Sequence, residues 1–492
     1  MVIRSTKFFP AAATAAAMLV VLVASASRAA AEASQAPIDI GSRLELFVDR
    51  YLIDRTDNVE LKLREPIQQP MAKSPLPLRH MITIIKDGDL YRAWYRDTDK
   101  SYPTPLHTGH EAYHTRYAES TDRREWTFPK LGLFEVEGST DNNAVMARNA
   151  PFGENFAPFL DARPGVNPKE RYKAIAGYPG AGNKSETGAP GKGLYGFVSP
   201  DGIHWTKTNE IIPYRKPWRH AMDSQNVGFW SEAEGQYVCY FRTWTEPDRL
   251  RSVSRSTSKD FVTWTDPVEM KPNLPGEHLY TTQTHPYFRA PHIYIALPTR
   301  FVPGRQPTAT DGPLGETKEP NVTDICFMTS RAGSTQYDRL FPQAFIRPGL
   351  DEARWTNRAN YVALNVVPVS PTQMMIHHRS GADYFLRIDG FVSATADATP
   401  GELVTKPLIF KGDKLTLNVS TTARGSAKVE LQDAQGKPIP GFTLDDCTEI
   451  VGDKIALEVA WKGNPSLTSL AGKPVRLRFV MTECDLYSFK FE

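Results

Sequence analysis

Apolar and polar residues alternate in short runs over most of the chain, the period-two pattern of half-buried strands, and helical spacing of apolar positions is weak. The runs 80–86, 91–95, 113–118 and 131–136 make a first group of four. Groups with the same order follow at 156–160, 171–176, 194–198 and 210–213, and at 227–230, 236–242, 250–255 and 268–270. A fourth group reads as 286–289, 293–297, 324–329 and 343–346. The fifth, 361–369, 373–377 and 384–393, has no outer strand of its own.

Three groups share a motif at the end of their third run. Ser120/Asp122/Trp126, Ser199/Asp201/Trp205 and Ser258/Asp260/Trp264 each spell Ser-x-Asp-x-x-x-Trp. The Ser or Asp side chain can bond turn amides while the Trp buries beside it, which pins a β-turn. Four-strand units repeated at this size predict a β-propeller with loop insertions. The count predicts five blades, with segment 44–48 supplying the missing outer strand and so removing the free edges of the ring. From about residue 398 the runs 414–419, 427–432, 455–461, 475–479 and 486–491 alternate without the motif. They read as a separate β-sandwich of about a hundred residues. The expected fold is all-β: a five-bladed propeller over 32–397 and a β-sandwich over 398–492.

The N-terminus changes the compartment. Arg4 and Lys7 precede an apolar run at 11–26 and small-residue sites at Ala24-Ser25-Ala26 and Ala29-Ala30-Ala31, so residues 1–31 read as a signal peptide and the mature protein as secreted or periplasmic. That run is short for a membrane span and nothing later is longer, so no membrane association is expected of the mature form. An uncleaved anchor is the alternative. The net charge of +2, with no run of Lys or Arg, argues against nucleic acid as a partner. The four cysteines lack metal-ligand spacing. Cys239 and Cys326 fall inside apolar strand runs, whereas Cys447 and Cys484 could pair in an oxidising compartment. No cofactor or catalytic metal is expected; a structural calcium ion in the funnel stays open, as does the oligomeric state.

Strand order locates a candidate site. In an alternating meander the starts of first strands and the loops joining second to third strands share one face, and the Ser-x-Asp motifs lie on the other. The long loops 97–112, 178–193 and 301–323 belong to the first face, and loops of that length are usually functional. Ionisable residues collect there too: Arg79 and His80, Asp141 to Asn143 with Glu154, Asp223, Glu277, and Arg354 with Arg358. Carboxylates from successive blades around a funnel suit acid, base or nucleophile roles at a glycosidic bond. The expected catalytic residues are Asp223, Glu277 and Asp141. Asp223 leads because His-Ala-Met-Asp-Ser-Gln-Asn directly precedes an apolar strand. His80, Arg96, Asp97, Asn142, Asn226, Arg242, Gln283 and Arg300 are the expected sugar-binding residues. No serine-nucleophile elbow, phosphate loop or zinc-protease helix motif appears.

Ser-Pro-Asp-Gly-Ile-His-Trp (199–205), Glu-Arg-Tyr-Lys-Ala (170–174), Asp-Ser-Gln-Asn (223–226), Ser-Lys-Asp-Phe-Val-Thr-Trp (258–264) and Leu-Ala-Gly-Lys-Pro-Val-Arg-Leu-Arg-Phe (470–479) resemble secreted bacterial proteins described as glycoside hydrolase family 32-like. The resemblance covers essentially the whole mature chain. It implies a five-bladed propeller with a C-terminal sandwich, and a carbohydrate as substrate or ligand. The Trp-Met-Asn-Asp-Pro-Asn-Gly and Arg-Asp-Pro motifs of that group are missing, so no catalytic residue is carried over from it. The expectation is a glycoside hydrolase acting on a plant or algal polysaccharide or oligosaccharide. The alternatives are a non-catalytic, lectin-like sugar-binding propeller and a sialidase-like enzyme.

Overall fold

The computed structural model describes residues 36–492 apart from 71–75, 78, 103–111, 150, 178–192, 216–220, 306, 309–320 and 464. The segment 1–31, expected to be a signal peptide, and most of the three long loops lie outside the described residues. The chain divides into two units, Lys62–Ser393 and Ala394–Glu492 together with the segment up to Leu61.

The larger unit is a succession of small antiparallel sheets. His80–Asp87, Leu90–Thr98, Tyr113–Ser120 and Ala144–Met146 form the first, and Ala157–Leu160, Tyr172–Ala176, Gly193–Ser199 and Thr206–Pro213 the second. The third comprises Val227–Ser231, Gln236–Trp244, Arg251–Ser258 and Val268–Glu269. His285–Tyr287, Ala290–Ala296 and Met328–Arg331 make the fourth, with a small side sheet of His278–Leu279, Thr299–Pro303 and Asn321–Ile325 beside it in sequence. The fifth has Val367–Pro368, Gln373–His377, Asp383–Arg387 and, as its outer strand, Ile67–Gln68. First strands of the successive sheets one to four lie side by side, and that of the fifth returns to the first. There the Ile84 amide donates to Leu364 O at 3.1 Å and the Leu364 amide to Ile82 O at 2.8 Å. This is the ring of a β-propeller.

Apolar faces cement the ring. Ile82, Ala93, Val367 and Met375 share a core between the first and fifth sheets. Ile175, Leu194, Tyr237 and Phe241 do so between the second and third. On the axis, the Gln225 amide donates to Thr83 Oγ1 at 2.9 Å, and Gln283 Nε2 donates to Gln225 Oε1 and Val362 O, each at 2.9 Å. These buried side chains tie four sheets together.

The motif works as its residue types require. Ser120, Ser199 and Ser258 are the last residues of their strands, and each hydroxyl accepts the amide three residues on, at 2.7, 2.8 and 2.9 Å. Asp201 Oδ1 accepts the amides of Ile203 and His204 at 2.9 Å, and Asp122 and Asp260 do likewise. The fourth motif residue adopts a left-handed backbone in all three copies: Arg123, Gly202 and Phe261. Only at Gly202 is there no room for a side chain, because a Cβ would lie 2.7 Å from the Trp94 ring. Trp126 is buried, while Trp205 and Trp264 are only partly so.

Three expectations are corrected. The outer strand of the first sheet is Ala144–Met146, not 131–136, where left-handed Gly132 and Gly138 break the extended run into bends. The ring is closed by Ile67–Gln68, whereas Glu45–Leu46 pairs with Phe489 and Ser488 of the C-terminal unit. The segment 36–61 therefore belongs with that unit rather than with the propeller: Ile38–Gly41 runs parallel to Leu408–Phe410, and Ile53–Asp57 pairs with Gly401–Thr405. Within it, Leu415–Asp433 and Val475–Phe491 pair along their length with a register break between Thr421 and Ser426. Phe410 stacks on Phe491 at 3.8 Å in its core. Cys447 and Cys484 are separate buried thiols, as are Cys239 and Cys326. Among the described residues no helix is long and apolar enough to cross a membrane.

Candidate functional site

The edge of the propeller opposite the Ser-x-Asp turns carries a dense polar cluster. It is built from starts of first strands, ends of second strands and starts of third strands, which the alternation of strand direction brings to one side. Asp223 stands before the Val227–Ser231 strand, in a turn shaped by left-handed Met222. Asn226 holds that turn: its Nδ2 donates to Met222 O and Ser224 O at 2.8 and 2.9 Å, and its Oδ1 accepts the Arg242 amide. Arg242, buried near the end of its strand, reaches Asp223 at 2.7 Å and lies 4.9 Å from the Tyr280 ring. Burial alone would lower the Arg242 pKa, but the Asp223 charge and Tyr280 together raise it.

A second carboxylate enters from the neighbouring blade. Glu154 lies just before the Ala157–Leu160 strand and pairs with Arg96 at 3.1 Å. Its loop sits hard against the third strand of the first sheet: a Cβ on Gly153 would stand 2.7 Å from Tyr113 O. Thr115 Oγ1 fastens the same loop by donating to Gly153 O at 3.1 Å. Beside it Asn155 is buried, and neither polar atom of its side chain meets a partner among the described residues.

Tyr113 feels the charge of both carboxylates. Burial pushes its phenol pKa up, and it lies within electrostatic reach of Arg96, Glu154, Arg358 and Asp223. Arg96 also rests 4.7 Å from its ring. The side chain of Glu154 is 6 % exposed and that of Asp223 34 %, so Glu154 is nearly enclosed and Asp223 partly open to solvent.

His80 lies among these groups. Burial, then the charges of Arg379, Arg96, Arg358 and Arg79, drive its pKa down to about 2, so it is a neutral imidazole at any working pH. Its ring meets Tyr361 edge-on at 5.2 Å. Asp97 is clamped by Arg79 at 2.7 Å and Arg116 at 2.9 Å. Four non-glycine residues at the mouths of inner strands hold left-handed backbone: Met81, Met222, Gln283 and Arg358. Such conformations each cost about 1–3 kcal/mol and cluster at functional sites.

Of the residues expected from the sequence, Asp223, His80, Arg96, Asp97 and Arg242 meet here; Asn226 is here too, but its side chain is spent on the Asp223 turn, and the others are committed elsewhere. Asp141 is 66 % exposed and pairs with Lys130 at 2.5 Å. Because the outer strand begins at Ala144, Asp141 sits in the loop leading into that strand, on the edge of the Ser-x-Asp turns. Asn142 serves the same turn, donating to Phe134 O and Ser139 O and accepting from the Ala144 amide. Glu277 precedes the side sheet instead of an inner strand, and both its oxygens are taken by Arg339, at 2.7 and 3.0 Å. Arg300 makes a two-pronged pair with Asp324 at 2.9 and 2.6 Å. Gln283 belongs to the axial network. Glu154, Tyr113, Arg251 and Arg379 were not chosen from the sequence as site residues. The signal for Glu154 was Gly-Glu-Asn-Phe directly before an apolar run, the same arrangement that singled out Asp223.

No protein-family model and no curated protein matches the chain. Solved structures similar to it include an endo-arabinase from Bacteroides thetaiotaomicron, with 14% identity over 65% of this chain and 96% of that one and a TM-score of 0.37. A putative glycoside hydrolase from Bacteroides ovatus shows 12% identity over 66% and 96%, with a TM-score of 0.38. The exo-beta-1,3-galactanase of Phanerochaete chrysosporium, solved with beta-1,3-galactotriose, shows 10% identity over 87% and 100%, with a TM-score of 0.37. Likenesses at this level assign no function to the chain, which has to be read from the chemistry of the site.

Proposed function

We propose that the chain is a glycoside hydrolase whose reacting carboxylates are Asp223 and Glu154, acting on an oligosaccharide or polysaccharide held against Tyr113, Arg96, Arg242 and His80. The observation that carries the reading is that two carboxylates stand at the mouths of adjacent inner strands, with Arg96, the partner of Glu154, 4.7 Å from the ring of Tyr113, on whose phenol both charges act. Hydrolysis of a glycosidic bond needs a proton donor at the leaving oxygen and a carboxylate that acts as nucleophile or activates water, about 5–10 Å apart. Asp97 and the neutral imidazole of His80 offer hydrogen-bonding groups for sugar hydroxyls, and the ring of Tyr113 offers an apolar surface for a sugar ring. An exported enzyme, as the leader predicts, would meet such polymers outside the cytoplasm.

A second reading is a sugar-binding propeller without hydrolysis. It is favoured by the pairing of each carboxylate with an arginine, Asp223 with Arg242 and Glu154 with Arg96, as in a purely electrostatic framework. Incubation with a diverse glycan panel, read by release of reducing ends, separates the two. The hydrolase releases product, and Asp223→Asn and Glu154→Gln each lower turnover by roughly 10²-fold or more while circular dichroism stays unchanged. Saturable binding with no product from the wild type establishes the binding protein. Full turnover by either variant removes that residue from the mechanism.

A further inference from the structure

The cluster carries more positive than negative charge. Arg79, Arg96, Arg242, Arg251, Arg358 and Arg379 all act electrostatically on His80 or on one another, with Asp97, Glu154 and Asp223 as the carboxylates among them. Burial lowers the pKa of both His80 and His278, which disfavours further positive charge on them.

Two of the arginines differ from the rest. Among the described residues neither Arg251 nor Arg379 has a carboxylate within ion-pair distance; Arg251 Nη1 reaches the His278 Nδ1 at 3.5 Å, and the Nε of each is buried without a hydrogen-bond acceptor, as in several other arginines of the chain. Arg251 is held by ring faces instead, with Trp244, Phe301 and Tyr280 at 4.6, 4.8 and 5.3 Å. Aromatic faces fix a guanidinium in place without neutralising it. Burial and the neighbouring charge of Arg242 pull the Arg251 pKa down to about 10. Arg379 donates through Nη1 to the Arg358 carbonyl at 2.8 Å, and burial lowers its pKa as well. Arg358, exposed to solvent, lies 5.5 Å from the Tyr280 ring, which Arg251 also meets at 5.3 Å. Half-buried positive charge without a counter-ion is costly, and an anion arriving beside it relieves that cost. A guanidinium with free N–H groups also matches the planar, two-pronged geometry of oxyanions.

We propose that the site is built for an anionic sugar, one that bears a carboxylate or a sulfate group which Arg251 and Arg379 attract. The proposal rests on the assignment of the carbohydrate site to this cluster. It does not require that the bound sugar be cleaved.

Binding calorimetry on the whole chain tests it with matched probes: glucuronate and galacturonate against glucose and galactose, and glucose 6-sulfate against glucose. The expected result is a preference of about tenfold or more for the charged member of at least one pair. Arg251→Gln and Arg379→Gln should each abolish most of that preference, with thermal unfolding checking that each variant is folded. The uronate arm and the sulfate arm show which oxyanion the site takes. Equal binding of charged and neutral partners overturns the proposal, and so does a preference that survives in both variants. If neutral glycans are hydrolysed as fast as anionic ones, the hydrolase reading stands and this one falls. If anionic sugars bind through the two arginines yet no glycan is cleaved, the reverse holds.

Discussion

Glu154 stands where it does because the residue before it has no side chain. Any Cβ at Gly153 would press on the Tyr113 carbonyl at 2.7 Å and the His114 Cα at 3.2 Å, so Gly153→Ala must lift the loop away from the third strand of the first sheet. A misplacement of about 1 Å at a reacting group costs on the order of 10²-fold in rate. Gly153→Ala should therefore lower kcat on the cleaved glycan far more than it lowers the unfolding temperature; unchanged turnover would mean that Glu154 does not react. At this scale the sequence was partly legible. Asp223 stood out because a polar cluster met an apolar strand directly. Asp141 misled for a physical reason: the apolar run at 131–136 reads as an outer strand only if the left-handed turns at Gly132 and Gly138 are overlooked, and that error shifts Asp141 to the wrong edge. Glu277 had no such tell, since the arginine that occupies it, Arg339, is distant in sequence.

The element that repeats is the strand-ending turn, and its chemistry makes it sensitive to acid. At Asp201 burial would raise the carboxyl, but hydrogen bonds from His204 and Ile203 outweigh it and bring the pKa to about 2; Asp122 and Asp260 are lowered as well, with turn amides the largest cause. A carboxylate with a depressed folded pKa contributes stability that is complete above its unfolded value and is lost as the pH falls through the folded one. Denaturant midpoints should thus drop between about pH 4 and pH 2, and Asp201→Asn should flatten that drop. A wild-type midpoint that stays constant over this window would rule out the turn carboxylates as the source of acid sensitivity. Truncation of the motif tryptophans should follow their burial. Trp126→Ala should cost about 3–5 kcal/mol, and Trp205→Ala less, because Trp205 is already partly exposed although it packs edge-on against Phe156 at 4.9 Å. Equilibrium unfolding of both variants checks the order. The motifs were legible from three residue types at fixed spacing; the unequal burial of their tryptophans was not, because it depends on the neighbouring blade.

At the scale of the molecule, alternation along the strands was enough to anticipate a ring of small antiparallel sheets, but not that the fourth has three strands without the outer one expected at 343–346, nor which N-terminal segment closes the ring. The segment 44–48 is more apolar than 67–68, and its side chains are buried in the C-terminal unit, whereas Ile67 is exposed. Hydrophobicity pointed to the wrong strand because closure relies on backbone pairing, with Gln69 N donating to Asp383 O at 2.8 Å, reinforced by a side-chain bond from Tyr384 Oη to Gln68 Oε1 at 3.0 Å. Gln69→Pro removes that amide donor and should lower the thermal midpoint and promote aggregation through the freed edge of the fifth sheet, as light scattering during a thermal ramp would show. The ring matters for function because it alone brings the mouths of the inner strands together, and with them Asp223 and Glu154. That placement is tested most directly by a crystal structure of the Asp223→Asn variant with a bound oligosaccharide. A glycosidic oxygen should lie between the side chains of residues 223 and 154, whose carboxyl carbons should stand about 5–10 Å apart. A sugar bound elsewhere on the propeller, or one that touches only one of these two residues, would contradict the assignment.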